Sequence, residues 1–236
     1  MVELSSAHAM RALRGMLLAV ADEPLPELDT LEQHVHLVAF GAEEAVIRAG
    51  EASPYLFFIM QGLVRVEATQ GDQPVMLGIR EEGEIIGDVT SMRFRAVQRL
   101  VELDLHPRSR SVSRGGETAP ALQLTTIEPT VLLRIDTRII VDLAERHLAW
   151  SRVVLALIVV NTITRRAEFT QTHGASPAES YQALLTTRPE LVRRVTQREL
   201  ARLFGVSEAG MSRIAKRVHG RGGAAQPDAT PAPSAG

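Results

Sequence analysis

Between His36 and Ile86 the apolar residues alternate with a period of two in short runs, and a glycine-containing turn signal separates most runs from the next. The runs are Leu37-Val38-Ala39-Phe40, Ala45-Val46-Ile47, Tyr55 to Met60, Leu63 to Glu67, Val75 to Ile79 and Glu84-Ile85-Ile86. Turn signals stand at Gly41, Gly50-Glu51, Gln61-Gly62, Gly71-Asp72 and Glu82-Gly83. Several short strands at this spacing predict a closed or sandwiched β structure.

The flanks have a different period. Leu4, Ala7, Met10, Leu13, Leu17 and Leu18 fit an amphipathic helix that Pro24 and Pro26 end before a shorter helical piece from Leu28 to Gln33. After the strands, Ser91 to Ala119 mixes Arg93, Arg95, Arg99, Arg108, Arg110 and Arg114 with Pro107 and Gly115-Gly116, which reads as a long surface loop inserted over 91–119. Strands resume at Leu122 to Ile127 and Val131 to Ile135, joined at Glu128-Pro129. Beyond Asp136 the pattern is helical, and Val153 to Val160 is apolar on every face, so it must be covered on two sides. Val153, Leu157, Val160, Thr164 and Ala167 step by four and three residues, the seam of a two-helix coil. One face is expected on the β structure and the other on the same helix of a second subunit, the alternative being a helix buried within a monomer. His173-Gly174 closes it, and Ser176-Pro177-Ala178-Glu179 opens the next helix with cap, proline and returning glutamate. From Gly220 the composition falls to Gly, Ala, Pro, Ser and Thr, predicting a disordered tail.

The most specific stretch is Gln197 to Lys216. Thr196 to Glu199 spells a capping box, Leu200, Ala201, Leu203 and Phe204 a short helix, Gly205 a tight turn, and Ser207 the cap of a helix through Val218. A helix-turn-helix needs a small fifth residue and a ninth that tolerates positive φ, and Ala201 and Gly205 supply them. Leu200, Phe204, Val206, Met211 and Ile214 are its apolar positions. Between Arg188 and Arg221 stand nine Arg and Lys against three Glu, whereas the whole chain of 236 residues carries −2. A basic module on an acidic body is the footprint of phosphate-backbone binding. Of the 26 basic residues only Lys216 is lysine. The chain has no cysteine, which excludes disulfide scaffolds, thiol nucleophiles and cysteine-ligated clusters. Neither Met16 to Ala21 nor Val153 to Val160 has the length of a signal or spanning segment, so a cytoplasmic protein without a membrane partner is expected.

These residues together carry a resemblance. Gly50-Glu51, the run Tyr55-Leu56-Phe57-Phe58-Ile59-Met60-Gln61-Gly62-Leu63-Val64-Arg65-Val66 and Gly83-Glu84-Ile85-Ile86-Gly87-Asp88 match in the front half. Tyr181-Gln182-Ala183-Leu184-Leu185, Pro189-Glu190-Leu191 and Ser212-Arg213-Ile214 match in the back half. The chain resembles the CRP/FNR-type (cyclic AMP receptor-like) transcription regulators over nearly all of it except the loop and the tail, in the short subgroup without a C-terminal wing. The resemblance implies an α+β chain with a cyclic-nucleotide-binding-like β-roll (jelly roll), a long dimerisation helix and a C-terminal helix-turn-helix. The expected division is 1–35 N-terminal helices, 36–137 β-roll, 138–175 dimerisation helix, 176–221 helix-turn-helix and 222–236 tail. It also implies a homodimer whose two recognition helices enter successive major grooves of a near-palindromic site. Double-stranded DNA and a second copy of the chain are the implied partners, with RNA polymerase a further candidate.

The ligand and DNA positions depart from the family pattern. Members that bind cyclic nucleotides use a Gly-Asp/Glu pair near the ribose and an Arg-Ser pair on the phosphate. Gly87 and Asp88 fill the first part and are the candidate ligand residues, but Gly116-Glu117-Thr118-Ala119-Pro120 stands at the second, where glutamate repels a phosphate. Arg110-Ser111 and Arg114 are the alternative cassette. No tight cyclic AMP binding is expected, the effector is open, and the histidines show no spacing for haem or another metal, so no cofactor is expected. Members that read guanine place an arginine just after the cap and a glutamate next; this chain has Glu208, Ala209 and Gly210. Glu208 suits the helix dipole and can accept from a cytosine amino group. Gly210 costs about 1 kcal/mol relative to alanine within a helix, which predicts a close approach, as to the DNA backbone. Arg213 is the expected base reader and Gln197, Arg198, Lys216 and Arg217 the phosphate contacts, with Ser207, Glu208 and Ser212 completing the DNA-binding set. The reading is a non-enzymatic transcription regulator, the alternative an interaction or ligand-binding module with a vestigial helix-turn-helix.

Overall fold

The computed structural model describes residues 5–70, 73–89, 92–103, 121–173 and 175–222. It divides into two compact units, Met1–Glu168 and Phe169–Gly236. The first contains helices α1 (Ser6–Ala21) and α2 (Leu28–Glu32), strands β1 (Val35–Phe40), β2 (Ala45–Ile47), β3 (Tyr55–Gln61), β4 (Val64–Gln70), β5 (Gln73–Arg80) and β6 (Ile85–Gly87), helix α3 (Arg95–Glu102), strands β7 (Ala121–Thr126) and β8 (Thr130–Asp136), helix α4 (Thr137–Arg146) and most of helix α5 (Leu148–His173).

The strands form two four-stranded antiparallel sheets, ordered β1-β8-β3-β6 and β2-β7-β4-β5. Side chains on β3 alternate between two cores. Phe57 and Ile59 join Ile47, Val64, Val66, Ile86, Leu124 and Leu132 in one cluster, while Leu56 and Phe58 join Leu133 and Ile135 against α1, α2, α4 and α5. Burial on both faces explains why Tyr55 to Met60 is apolar throughout rather than alternating. Gly87 ends β6 at φ +135°, and a Cβ there would stand 2.8 Å from Leu56 Cδ2 and 2.9 Å from the Tyr55 carbonyl. Only glycine lets β6 approach β3 so closely.

Helix α1 buries Ala9, Leu13 and Leu17, one side of its surface, into the helix-facing core. The turn after it is tied to the α4–α5 junction. Trp150 Nε1 donates to the Pro26 carbonyl at 2.7 Å, Arg152 pairs with Glu23 at 2.7 Å, and Arg146 reaches both Glu27 and Asp142. Arg146, and secondarily His147, hold the Glu27 carboxyl below the usual carboxylate range.

Three expectations need correction. The segment after β6 is not all loop: Arg95–Glu102 is helical, with Arg95 bonded to Glu145 through its backbone N–H (2.7 Å) and its side chain (2.8 Å). The span read as one helix over 138–175 breaks at His147, whose φ −130° and ψ 123° are extended. Val153, expected in a subunit seam, is 1% exposed within the core of its own chain. Gly71-Asp72, the rest of the 91–119 insertion beyond residue 103, Gly174 and the tail beyond residue 222 lie outside the described residues. Leu148–Arg166 has the length and mean hydropathy (19 residues, 1.4) of a membrane span, beyond what the run Val153 to Val160 suggested. Its Trp150, Val153 and Val154 are instead built into the core beside α1.

Candidate nucleic-acid interface

The second unit holds helices α6 (Pro177–Thr187), α7 (Pro189–Arg194), α8 (Gln197–Leu203) and α9 (Glu208–Gly222). Ser176 and Glu179 form the expected reciprocal capping box of α6. Tyr181, Leu191, Val195, Leu200, Ala201, Met211 and Ala215 are buried, and Tyr181 meets the Phe204 ring edge-on with centroids 6.3 Å apart.

The α8–α9 turn follows from the residues between the helices. Gly205 adopts φ +63°, and the next amide, Val206 N–H, donates to the Ala201 carbonyl at 2.9 Å. Ala201 is 2% exposed where α8 packs on α9, which accounts for its small side chain. Ser207 Oγ then accepts from the Gly210 amide at 3.1 Å and caps α9. A Cβ on Gly210 would lie 3.2 Å from that hydroxyl, so within the chain the tight neighbour of this glycine is the cap. Thr196 Oγ1 accepts from Glu199 N at 3.2 Å as expected, but the Glu199 carboxylate is 4% exposed and pairs with Arg202 at 3.3 Å. Helix α9 also continues past Gly220 to Gly222.

Of the eight expected DNA-contacting residues, Gln197, Arg198, Ser207, Glu208, Arg213, Lys216 and Arg217 are exposed and Ser212 is half-buried. At about 3.6 residues per turn, Ala209, Arg213, Lys216 and Gly220 fall on one narrow stripe of α9, flanked by Ser212 and Arg217 and opposite Met211, Ile214 and Val218. Within the unit, Arg193 pairs with Glu190 and Arg202 with Glu199. Arg198, Arg213, Lys216 and Arg217 make no ion pair among the described residues, leaving positive charge concentrated beside and on the α9 stripe.

In the first unit, Gly87 is buried for the close approach of β6 to β3, and Asp88 is half-buried beside it. The Gly116 to Pro120 position and the Arg110-Ser111 alternative fall outside the described residues. On α5, Leu157 is half-buried, Val160 and Thr164 are exposed, and the Ala167 side chain is not described. The exposed apolar stripe is Leu148 (66%), Leu155 (62%), Val159 (45%), Val160 (61%) and Ile163 (63%). Leu148, Leu155, Val159 and Ile163 were missed because a helix apolar on every face accommodates more than one seam; seven- and four-residue steps through these positions were the available signal.

No sequence-family model matches the chain, and no curated protein matches it by sequence. Solved structures do. A transcriptional regulator of the CRP/FNR family from Eubacterium rectale, 10% identical, aligns with TM-score 0.61 over 85% of this chain and 86% of its own. FixK2 from Bradyrhizobium japonicum is 13% identical, with TM-score 0.58 over 80% and 86% of the two chains. The c-di-GMP responsive global regulator CLP of Xanthomonas campestris is 20% identical, with TM-score 0.55 over 80% and 89%. The chain has the fold of the CRP/FNR-type regulators, a β-roll domain followed by helices.

Proposed function

We propose that this protein is a homodimeric, sequence-specific DNA-binding transcription regulator and not an enzyme, working without cyclic AMP as a cofactor. The observation that carries the reading is the α9 stripe: exposed Arg213, Lys216 and Arg217, free of ion pairs among the described residues, on a helix fixed by Gly205, Ser207 and the buried Ala201. In this reading α9 enters the major groove. Arg213 donates to a guanine edge, and Lys216, Arg217, Gln197 and Arg198 contact phosphates. Glu208, exposed at the helix start, disfavours a phosphate there and accepts from a cytosine amino group. The apolar stripe of α5 pairs with its copy, which gives the complex its two-fold symmetry. The regulators with this fold support the assignment, and RNA polymerase is the partner such a protein would act on. The β-roll lacks an arginine before a serine at the expected phosphate position, so cyclic AMP has no charged anchor there.

Selection of bound fragments from a random DNA pool tests the proposal. Enrichment of a near-palindrome with a guanine in each half-site is expected. Failure to enrich any sequence overturns it and favours the interaction module.

A further inference from the structure

Side chains on β8 alternate between the two cores, and Arg134 breaks the apolar pattern on the side that faces the second sheet. Leu132 belongs to the cluster between the sheets, whereas Leu133 and Ile135 face the helices. Arg134 shares the face of Leu132, with Phe57 on β3 and His36 on β1 as its cross-strand partners. Its Nε is buried with no hydrogen-bond partner, and the guanidinium makes no ion pair among the described residues. The terminal nitrogens are not buried in this way and keep access to solvent. The central guanidinium carbon lies 4.8 Å from the centroid of the Tyr55 ring, a contact that offsets only part of the cost of withdrawing a cation from water. Neighbouring acids are engaged elsewhere. Asp136, next on the same face, lies 3.0 and 3.1 Å from Arg138 Nε. Glu51 accepts from the Arg48 backbone N–H at 3.4 Å across its own turn. A partly buried cation that the chain leaves without an acceptor calls for one from outside.

Arg134 lines a cavity of about 210 Å³ at this end of the roll, together with Val38, Phe40, Val46, Tyr55 and Phe57. Phe57 is buried, but the other four and Arg134 are only half-buried, and the rim is formed by exposed Glu51, Ala52 and Pro54. At about 30 Å³ per water the volume equals about seven waters, room for one six-membered ring and its substituent. Neither Gly87, Asp88 nor any residue of α5 lines this cavity, so it is separate from both the candidate nucleotide pair and the face of α5 assigned to a second copy.

We propose that this cavity binds a small aromatic carboxylate, its ring against Phe40, Tyr55 and Phe57 and its carboxylate on the terminal nitrogens of Arg134. Aromatic walls favour stacked and edge contacts with a further ring. One planar guanidinium matches one carboxylate with two hydrogen bonds, and a dianion would leave a charge uncompensated beside Glu51. Saturation-transfer NMR of benzoate with the purified full chain tests the assignment. Saturable binding is expected with a dissociation constant of about 1 mM or below, within what a ligand of this size can supply. Benzamide, the uncharged isostere, should bind about tenfold more weakly for want of charge-assisted hydrogen bonds, and acetate, which lacks the ring, more weakly still. Arg134→Met should bring benzoate down to the level of benzamide and leave benzamide unchanged. Ala52→Trp, on the exposed rim, should weaken both ligands while circular dichroism stays unchanged, so the site is tested even if Arg134→Met fails to fold. Absent saturation, equal affinity for benzoate and benzamide, or benzoate binding unchanged by either variant overturns the assignment. Acetate binding as tightly as benzoate also overturns it, since the pocket would then take any carboxylate, the acidic side chain of a protein partner included. None of these readouts involves DNA, so this assignment and the regulator reading fail separately.

Discussion

Replacing Leu155 and Ile163 together by glutamate should convert the proposed dimer to monomer. Fully burying a leucine or isoleucine contributes about 1.5 to 3 kcal/mol. These two are 62% and 63% exposed in the isolated chain, so each stands to gain about 1 to 2 kcal/mol from a partner helix. A two-fold axis counts each residue twice, which makes the loss about 4 to 8 kcal/mol before any cost of desolvating carboxylates. At about 1.4 kcal/mol per decade, the dissociation constant should rise by about a thousandfold or more. Sedimentation equilibrium across micromolar concentrations reads this directly, with circular dichroism confirming that the helices remain. Val153→Ala is the matched control: it should lower the unfolding midpoint and leave the oligomer intact, since Val153 is 1% exposed inside its own chain. A folded double-glutamate variant that still sediments as a dimer would refute the assignment of the seam.

Arg213→Ala should relax base preference at one position of each half-site by about 1 to 3 kcal/mol, whereas Lys216→Ala should weaken all sequences alike and reduce the salt slope by about one; binding isotherms on matched and mismatched sites at several salt concentrations distinguish them. Gly205→Ala should destabilise the second unit by about 1 to 2 kcal/mol for placing a Cβ in the left-handed region, and Gly205→Asn by less; equal losses in chemical denaturation would show that φ +63° is not the cause. Glu27 is held below the ordinary carboxyl range first by Arg146 and then by His147. Its contribution is therefore present above the unfolded pKa and lost as pH falls through the depressed folded value. Glu27→Gln should lower the thermal midpoint at pH 7, with the gap to the parent protein closing below about pH 4; a gap that persists in acid would argue against this linkage.

The strands were readable because two signals agreed at each one, a period of two or a dense apolar run and a turn residue at its end. Helix α3 was not, because Arg95–Glu102 lies among arginines that suggest a solvated loop, and its anchor, Glu145, is fifty residues away. In the helix-turn-helix the local chemistry at Thr196, Ala201, Gly205 and Ser207 was legible, since each requirement is met within a few residues. Glu199 is partly different: its backbone is capped by Thr196 as read, but its carboxylate is turned to Arg202. On α5 the sequence required two covered faces and could not rank them, because only the positions of α1 and the first sheet decide that Val153 faces inward.

The bonds from Glu23, Pro26 and Glu27 to the start of α5 bear on how the chain can be cut. Helix α1 supplies Ala9, Leu13 and Leu17 to the same cluster as Leu56 and Trp150. A truncated version starting at β1 would therefore expose the outer face of a sheet and one side of α5 to solvent at once. Segments far apart in sequence open and close together in such an arrangement, so amide protection in α1 should rise and fall with that of β3 and the first turns of α5. A fragment that is to keep the helix-facing core should therefore begin before Ala9, and a protease site or reporter is better inserted elsewhere.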